Sequence, residues 1–295
     1  MATHRSLSIL KHPVSLWVAS VLLTLACFTW QDQTGPTYPL SGAVETDHGT
    51  VTFVFARSET IGNGLPVVLT GAVPEGIRAE VRFRRFRSHD SLRTLPLQPG
   101  VFELSRRGSS ETVRGLGATL PSLAERAGKY EYRVFIDDGS GAPWPVTGET
   151  PVYARYKAHV PVGALLPHIL VIFISMTFAI RTTLEAIVDG NFRWMLWATL
   201  GSLLLGAFVL GPWVQWYAFG VWWSGIPFGY DWTDNKVLIE LAFWIAAIWM
   251  NRGGRRHRGI VIWSGVITVA IYFIPHSLFG SEFDYRTGTG HGTAG

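Results

Sequence analysis

Five long stretches of this chain carry almost no charge, and that arrangement leaves few folds open to it. They run Val14–Trp30, Val160–Ile180, Trp194–Leu210, Val237–Met250 and Gly259–Ile274. A bilayer core asks for about 20 predominantly apolar residues of helix, with a range of about 17–25. The second and third blocks reach that length with their flanks. The fourth does so if its helix starts near Thr233, and the fifth needs Pro275 and His276 as an interfacial cap. The blocks therefore predict five transmembrane helices. Composition agrees: 48% of the 295 residues are hydrophobic and 16% are charged, against roughly a quarter charged in ordinary soluble domains. A single Cys excludes an internal disulfide and a multi-Cys zinc or iron–sulfur site.

Lys and Arg in short loops set the orientation of such helices. The leader carries Arg5 and Lys11, and Asn251–Arg258 holds Arg252, Arg255, Arg256 and Arg258 without an acid. Both are expected on the cytoplasmic side of a bacterial inner membrane. Gln31–His159, the loop Gln215–Lys236 and the tail after His276 then face the periplasm. The expected organisation is a leader and N-terminal transmembrane helix (1–38), a periplasmic domain (39–158), a four-helix membrane domain (159–280) and a flexible periplasmic tail (281–295). Arg181 and Glu185 are spaced for an i,i+4 pair. Three fates stay open for the first block: an uncleaved anchor, a cleaved signal peptide, or a lipoprotein leader. Leu23-Thr24-Leu25-Ala26-Cys27 is an imperfect lipobox, with Thr24 where an aliphatic residue is usual.

Between the first and second blocks the hydrophobic period changes from helical to two. Val51, Phe53 and Phe55 share one face, as do Ala79, Val81 and Phe83, with Arg82 and Arg84 between them. Tyr130, Tyr132, Val134 and Ile136 repeat the alternation, and Val152, Ala154 and Tyr156 supply a last strand. Turn signals separate these runs at Gly62-Asn63-Gly64, Pro74-Glu75-Gly76, Pro99-Gly100 and Asp137-Asp138-Gly139. Short punctuated strands of this kind predict a β-sandwich of immunoglobulin or fibronectin type. The fold class expected is thus an α+β membrane protein: an N-terminal anchor, a periplasmic sandwich, then four helices. The Arg82–Arg87 run reads either as a solvated strand face or as a site for an anion or lipid headgroups.

The unusual polar residues of the membrane half fall at one level, the expected periplasmic rim. Pro167-His168 opens the second helix and Pro275-His276-Ser277 closes the fifth. The aromatic loop between them contains Tyr217 and runs into Asp231, Asp234, Asn235 and Lys236; Glu240 follows, and Glu282 lies in the tail. These nine residues (His168, Tyr217, Asp231, Asp234, Asn235, Lys236, Glu240, His276 and Glu282) form the candidate rim site. Trp and Tyr at an interface also form an ordinary aromatic belt. Asp231 or Thr233 suits an N-cap, with Asp234 favoured by the helix dipole. A carboxylate just inside a span, as Glu240 would be, faces a bundle interior or cavity. His168 and His276, one on each of two helices at the same expected level, suit axial ligation of a b-type haem. With Asp231, Asp234 or Glu282 the same pair suits a divalent metal, and as helix-end residues they suit simple carbonyl hydrogen bonding. No cofactor signature appears: CxxCH, HExxH and phosphate-binding Gly-rich motifs are absent from the sequence.

The chain resembles a group of uncharacterised bacterial inner-membrane proteins that join a periplasmic immunoglobulin-like domain to a four-helix membrane region. The residues that carry the likeness are Pro167-His168, Gly211-Pro212, Val214-Gln215, Tyr217-Ala218-Phe219-Gly220, Gly225, Pro227-Phe228-Gly229, Asp231, Thr233-Asp234-Asn235-Lys236, Pro275-His276-Ser277 and Gly280-Ser281-Glu282. Ser224 and Trp232 stand where Thr and Leu are expected. The likeness implies one architecture and brings no reaction. Three functions remain: an accessory subunit docked through the sandwich and aromatic rim to a respiratory or photosynthetic electron-transfer complex, a haem- or quinone-linked electron carrier, and a membrane enzyme acting on lipid or a periplasmic substrate with Asp231, Asp234 and Glu240 as acids or bases. The expected partners are the bilayer and membrane proteins, not nucleic acid.

Overall fold

The computed structural model describes residues 12–106, 109–139, 141–276 and 280–293; Arg5, Lys11 and Ser277 lie outside the described residues. The chain forms two compact units. One is helical, Met1–Gly35 with Val160–Gly280, and the other is β-rich, Pro36–His159 with Ser281–Ala294.

In the helical unit, α1 spans Pro13–Thr34 and starts on a Pro, whose missing N–H would be unpaired there in any case. Helix α2 spans Val162–Ile187. The third long helix runs Arg193–Phe219 in three parts: α3 (Arg193–Leu203), a π-helical stretch (Leu204–Leu210) and α4 (Gly211–Phe219). Pro212 explains the change of pitch. It has no N–H to give the Phe208 carbonyl, and a wider turn lets the Gly211 N–H reach back to Gly206 O instead. These three helices are long and apolar enough to cross a membrane by length and composition. A fourth apolar helix, α6 (Arg258–Phe273), is shorter. Helix α5 (Trp232–Asn251) is long enough but places Asp234, Lys236 and Glu240 in its first turns. Five helices are present, and three of the five expected spans meet the measure of length and hydropathy.

Side chains of α2 tie the unit together. Ala179 packs with Phe192, Leu196, Trp244 and Val261, while Met176 and Ile180 pack on Cys27 of α1. Polar pairs cross between helices: Thr177 Oγ1 donates to Thr24 Oγ1 (3.2 Å), and Thr182 bonds Thr199 (3.0 Å). Arg181 bridges to Glu185 at 2.5 Å and lies over the Trp17 ring. The basic α5–α6 loop closes on the α2–α3 turn, where Arg256 reaches the Asp189 carboxylate and Arg258 donates to Ala186 O. The outer faces present Trp194, Trp197, Val209, Trp249 and Trp263 as exposed side chains.

The β-rich unit is a sandwich-like pair of sheets. The first has strand order β1-β2-β4-β8-β7 (Leu40–Thr46, Gly49–Phe55, Leu65–Thr70, Ser109–Leu120, Gln98–Arg106). The second has order β3-β11-β9-β5-β6 (Ser58–Thr60, Val152–Lys157, Lys129–Asp137, Arg78–Arg85, Arg93–Pro96), with β10 (Trp144–Pro145) on β9. The pairings are antiparallel apart from β3 on β11. The alternating faces read from sequence meet in one core, with Phe55, Leu69, Val81, Phe83, Tyr132, Val134 and Tyr156 all buried. Tyr132 reaches across it to donate to Ala56 O at 2.8 Å.

Three expectations need correction. Pro99-Gly100 is not a turn but part of β7. That strand is the last of its sheet, where a Pro removes no needed donor. The segment 215–236 is not all loop, because α4 runs to Phe219 and α5 begins at Trp232. Of the tail 281–295, expected to be flexible, residues 281–293 fold as a hairpin of β12 (Ser281–Asp284) and β13 (Thr289–Thr293) within the β-rich unit. Glu282 holds it there, 1% exposed and within 2.7 Å of both Arg87 and Lys129.

Candidate functional site

The connection from α4 to α5 is built around one buried cluster. Helix α4 ends at Gly220, whose φ of +80° lets the chain reverse in the left-handed region that glycine favours. The loop then turns inward at Ser224 and Gly225. A Cβ on Gly225 would stand 2.7 Å from Asp234 Cβ and from Asn235 Oδ1, so only glycine allows the approach. Asp234 Oδ2 accepts from Ser224 N (2.7 Å), Ser224 Oγ (3.1 Å) and Gln215 Nε2 (3.1 Å). Asp231 Oδ2 is also 3.1 Å from Ser224 Oγ, so one hydroxyl proton serves two carboxylates. Its other oxygen caps α5 by accepting from Thr233 N (2.8 Å), and Asn235 Oδ1 accepts from Ile226 N (2.7 Å).

Lys236 and Glu240 follow on α5 and are both buried. Lys236 Nζ donates to Ile274 O at 3.1 Å, at the end of α6. Glu240 Oε1 accepts from Thr268 Oγ1 (2.9 Å), which in turn accepts from Trp244 Nε1 (3.0 Å). Each of these polar groups meets another group of the helical unit, as a desolvated group must if it is not to cost roughly 2–7 kcal/mol.

Asp231, Asp234 and Asn235 come together, and Lys236 and Glu240 line the same helix below them. Tyr217 sits among aromatic rings, 5.5 Å from Trp216 and 6.4 Å from Trp213. His168 is held at the π-helical turn, its Nδ1 3.0 Å from Gly206 O. His276 is exposed just beyond α6, its carbonyl 3.9 Å from a Cβ placed on Gly35. Glu282 belongs to the β-rich unit.

This geometry bears on the cofactor readings. Among the described residues no three His, Cys, Asp or Glu side chains gather to hold a metal ion. For haem, the Nδ1 contact of His168 leaves Nε2 as its ligating nitrogen, the usual way a ligating imidazole is fixed. His276 is anchored at a different place, beside the end of α1, and no step is built on the pair.

Gln215, Ser224 and Thr268 are the members that sequence reasoning left out of the site. Gln215 had a signal, as a lone amide between Val214 and Trp216. Ser224 stands where Thr is expected, and either residue supplies the hydroxyl that both carboxylates use.

On the β-rich unit, the Arg82–Arg87 run is neutralised rather than open. Arg82 pairs with Glu80, Arg84 with Glu131, Arg85 with Asp90 and Arg87 with Glu282. The Arg85 pair holds the Asp90 carboxyl below its ordinary range, chiefly through the hydrogen bond between them. A shallow cleft of about 320 Å³ opens beside it, lined by Phe83, Arg84, Arg85, Arg93 and Tyr130 among others.

Comparison with known proteins adds no relative: no family model, no curated protein and no solved structure matches the chain.

Proposed function

We propose that this is an integral protein of a bacterial inner membrane, with five spans and a periplasmic immunoglobulin-type domain, that serves as an accessory subunit of a larger membrane complex. The observation that carries this is how the helical unit distributes its polarity. Its buried acids and amine are spent on its own loop and helix ends, while Trp197, Val209, Trp249 and Trp263 face outward. Exposed apolar faces suit lipid or another membrane protein, and the inward polar groups act as struts. The short α6 and the polar start of α5 suit spans that finish in the interfacial zone. The basic α5–α6 loop marks the cytoplasmic end.

Strand order supports the immunoglobulin-type reading. β2-β4-β8-β7 and β11-β9-β5-β6 correspond to A-B-E-D and G-F-C-C′ of such sandwiches, and β3 parallel to β11 extends the second sheet. The likeness to inner-membrane proteins of this architecture points the same way. An electron-transfer complex, respiratory or photosynthetic, is the proposed assembly.

Mild detergent extraction of the tagged protein tests this. Stoichiometric membrane partners are expected, with no Soret absorption in the isolated chain. A monomer that carries a Soret band, lost in His168→Ala, would replace the accessory role with the electron-carrier alternative.

A further inference from the structure

Glu282 is the most enclosed acid of the β-rich unit, and it comes from the far end of the chain. Its carboxylate lies within 2.7 Å of Arg87 Nη1 and of Lys129 Nζ, and Arg155 Nη1 donates to the adjoining Ser281 carbonyl at 3.4 Å. Burial pushes the Lys129 amine down from its ordinary value even against the pull of Glu282. The hairpin that carries Glu282 forms a sheet of its own and joins neither large sheet. A two-stranded hairpin alone is at best marginally stable in water, so its seat rests on side chains. Phe283 N donates to Ala127 O, Tyr285 Oη donates to Glu125, and the Arg85 guanidinium lies 4.6 Å over the Tyr285 ring. Arg85 also lines the 320 Å³ cleft, so it is shared between that cleft and the Tyr285 ring.

We infer that Arg87, Lys129 and Arg155 form a recognition site for an acidic–aromatic extended segment of a partner protein, and that Glu282–Tyr285 is its resident, self-supplied occupant. Two cations on one carboxylate, a third on the carbonyl before it, and an aromatic seat three residues on make a pattern that reads Glu-Phe-Asp-Tyr by charge and ring. The neighbouring cleft has room for side chains the hairpin does not provide. A segment of the same chain competes as an intramolecular ligand, so the site is closed until a better-matched segment arrives. This deepens the accessory-subunit reading and rests on it.

The test uses full-length protein in detergent and a labelled synthetic peptide of residues 281–287, Ser-Glu-Phe-Asp-Tyr-Arg-Thr. Glu282→Gln weakens the resident segment, and Tyr285→Ala does so without touching the carboxylate contacts. A ten-fold rise in the open fraction raises apparent affinity about ten-fold, so either variant should bind the peptide at least that much more tightly than wild type. Adding Lys129→Gln should abolish the gain, and a peptide with Gln for Glu should not bind. No gain in two folded variants overturns the proposal. So does inorganic phosphate that competes as well as the peptide, since that marks a bare anion site. Failure here leaves co-purification of partners untouched, so the two readings fall separately.

Discussion

Asp234 distinguishes a structural strut from a reactive acid, because its three donors converge on one oxygen. Asp234→Ala removes the acceptor. Ser224 Oγ and Gln215 Nε2 keep second partners in Asp231 and in each other, whereas the buried Ser224 N–H loses the acceptor that holds it. A hydrogen bond to a charged group is worth about 1.5–3 kcal/mol and an orphaned buried donor about 1–3, so the loss should be about 3 kcal/mol. Asp234→Asn can place its Oδ1 where Oδ2 sits and keep all three bonds, at a cost of about 1 kcal/mol for the charge. At about 2–4 °C per kcal/mol for a unit of this size, the apparent Tm should fall by about 6–12 °C for Ala and about 2–4 °C for Asn. Tryptophan fluorescence of the full-length protein in detergent reads this directly, since Trp223 stacks on Phe208 at 5.7 Å beside Ser224. If Asn is as damaging as Ala, negative charge rather than acceptor geometry is what the site needs. If neither shifts the melt, the strut does not hold the loop.

Three further outcomes are expected. Tyr132→Phe should cost about 1 kcal/mol of β-unit stability, because its buried hydroxyl donates to Ala56 O; no change in the denaturation midpoint would remove that bond from the account. Asp90→Asn should cost under about 1 kcal/mol at neutral pH, since the Asp90–Arg85 pair is partly exposed. Its native carboxyl is held below the ordinary 3.8, so that contribution is present above 3.8 and lost as pH falls through the lower native value; a wild-type–mutant difference that does not shrink as pH falls below 3.8 contradicts this. Helix α1 should be retained in the mature protein, because Cys27 packs on Met176 and Ile180 and Thr24 bonds Thr177. N-terminal sequencing that starts after Ala26 would show cleavage or lipidation instead.

Period and punctuation made much of this architecture legible. Strands β2, β5, β9 and β11 alternate so cleanly that their inward faces could be named residue by residue, and of the two cap candidates, Asp231 and Thr233, it is Asp231 that caps α5. Strands β7 and β8 were not legible, because Pro99, Gly100, Gly115 and Gly117 dilute the alternation and mimic turns. The rim was less legible for a different reason. Sequence gives depth along a helix but not the direction a side chain takes, so His168, His276 and Glu282 looked level with Asp234 while their neighbours differ. Gln215 and Ser224 were passed over because an amide and a hydroxyl in an aromatic stretch carry no pattern until a carboxylate is seen to face them.

The return of the C-terminal hairpin to the β-rich unit sets an order of events during synthesis. Strands β1 to β11 leave the ribosome first, and Glu282 follows only after the 122 residues from Val160 to Ser281. At about 5–20 residues per second that is a delay of roughly 6–24 seconds. Through it, Lys129 and Arg87 wait without the carboxylate that neutralises them. A fragment ending at Lys157 would be fixed in that waiting state, and a tag fused directly after Thr293 would sit where the last seam of the domain closes.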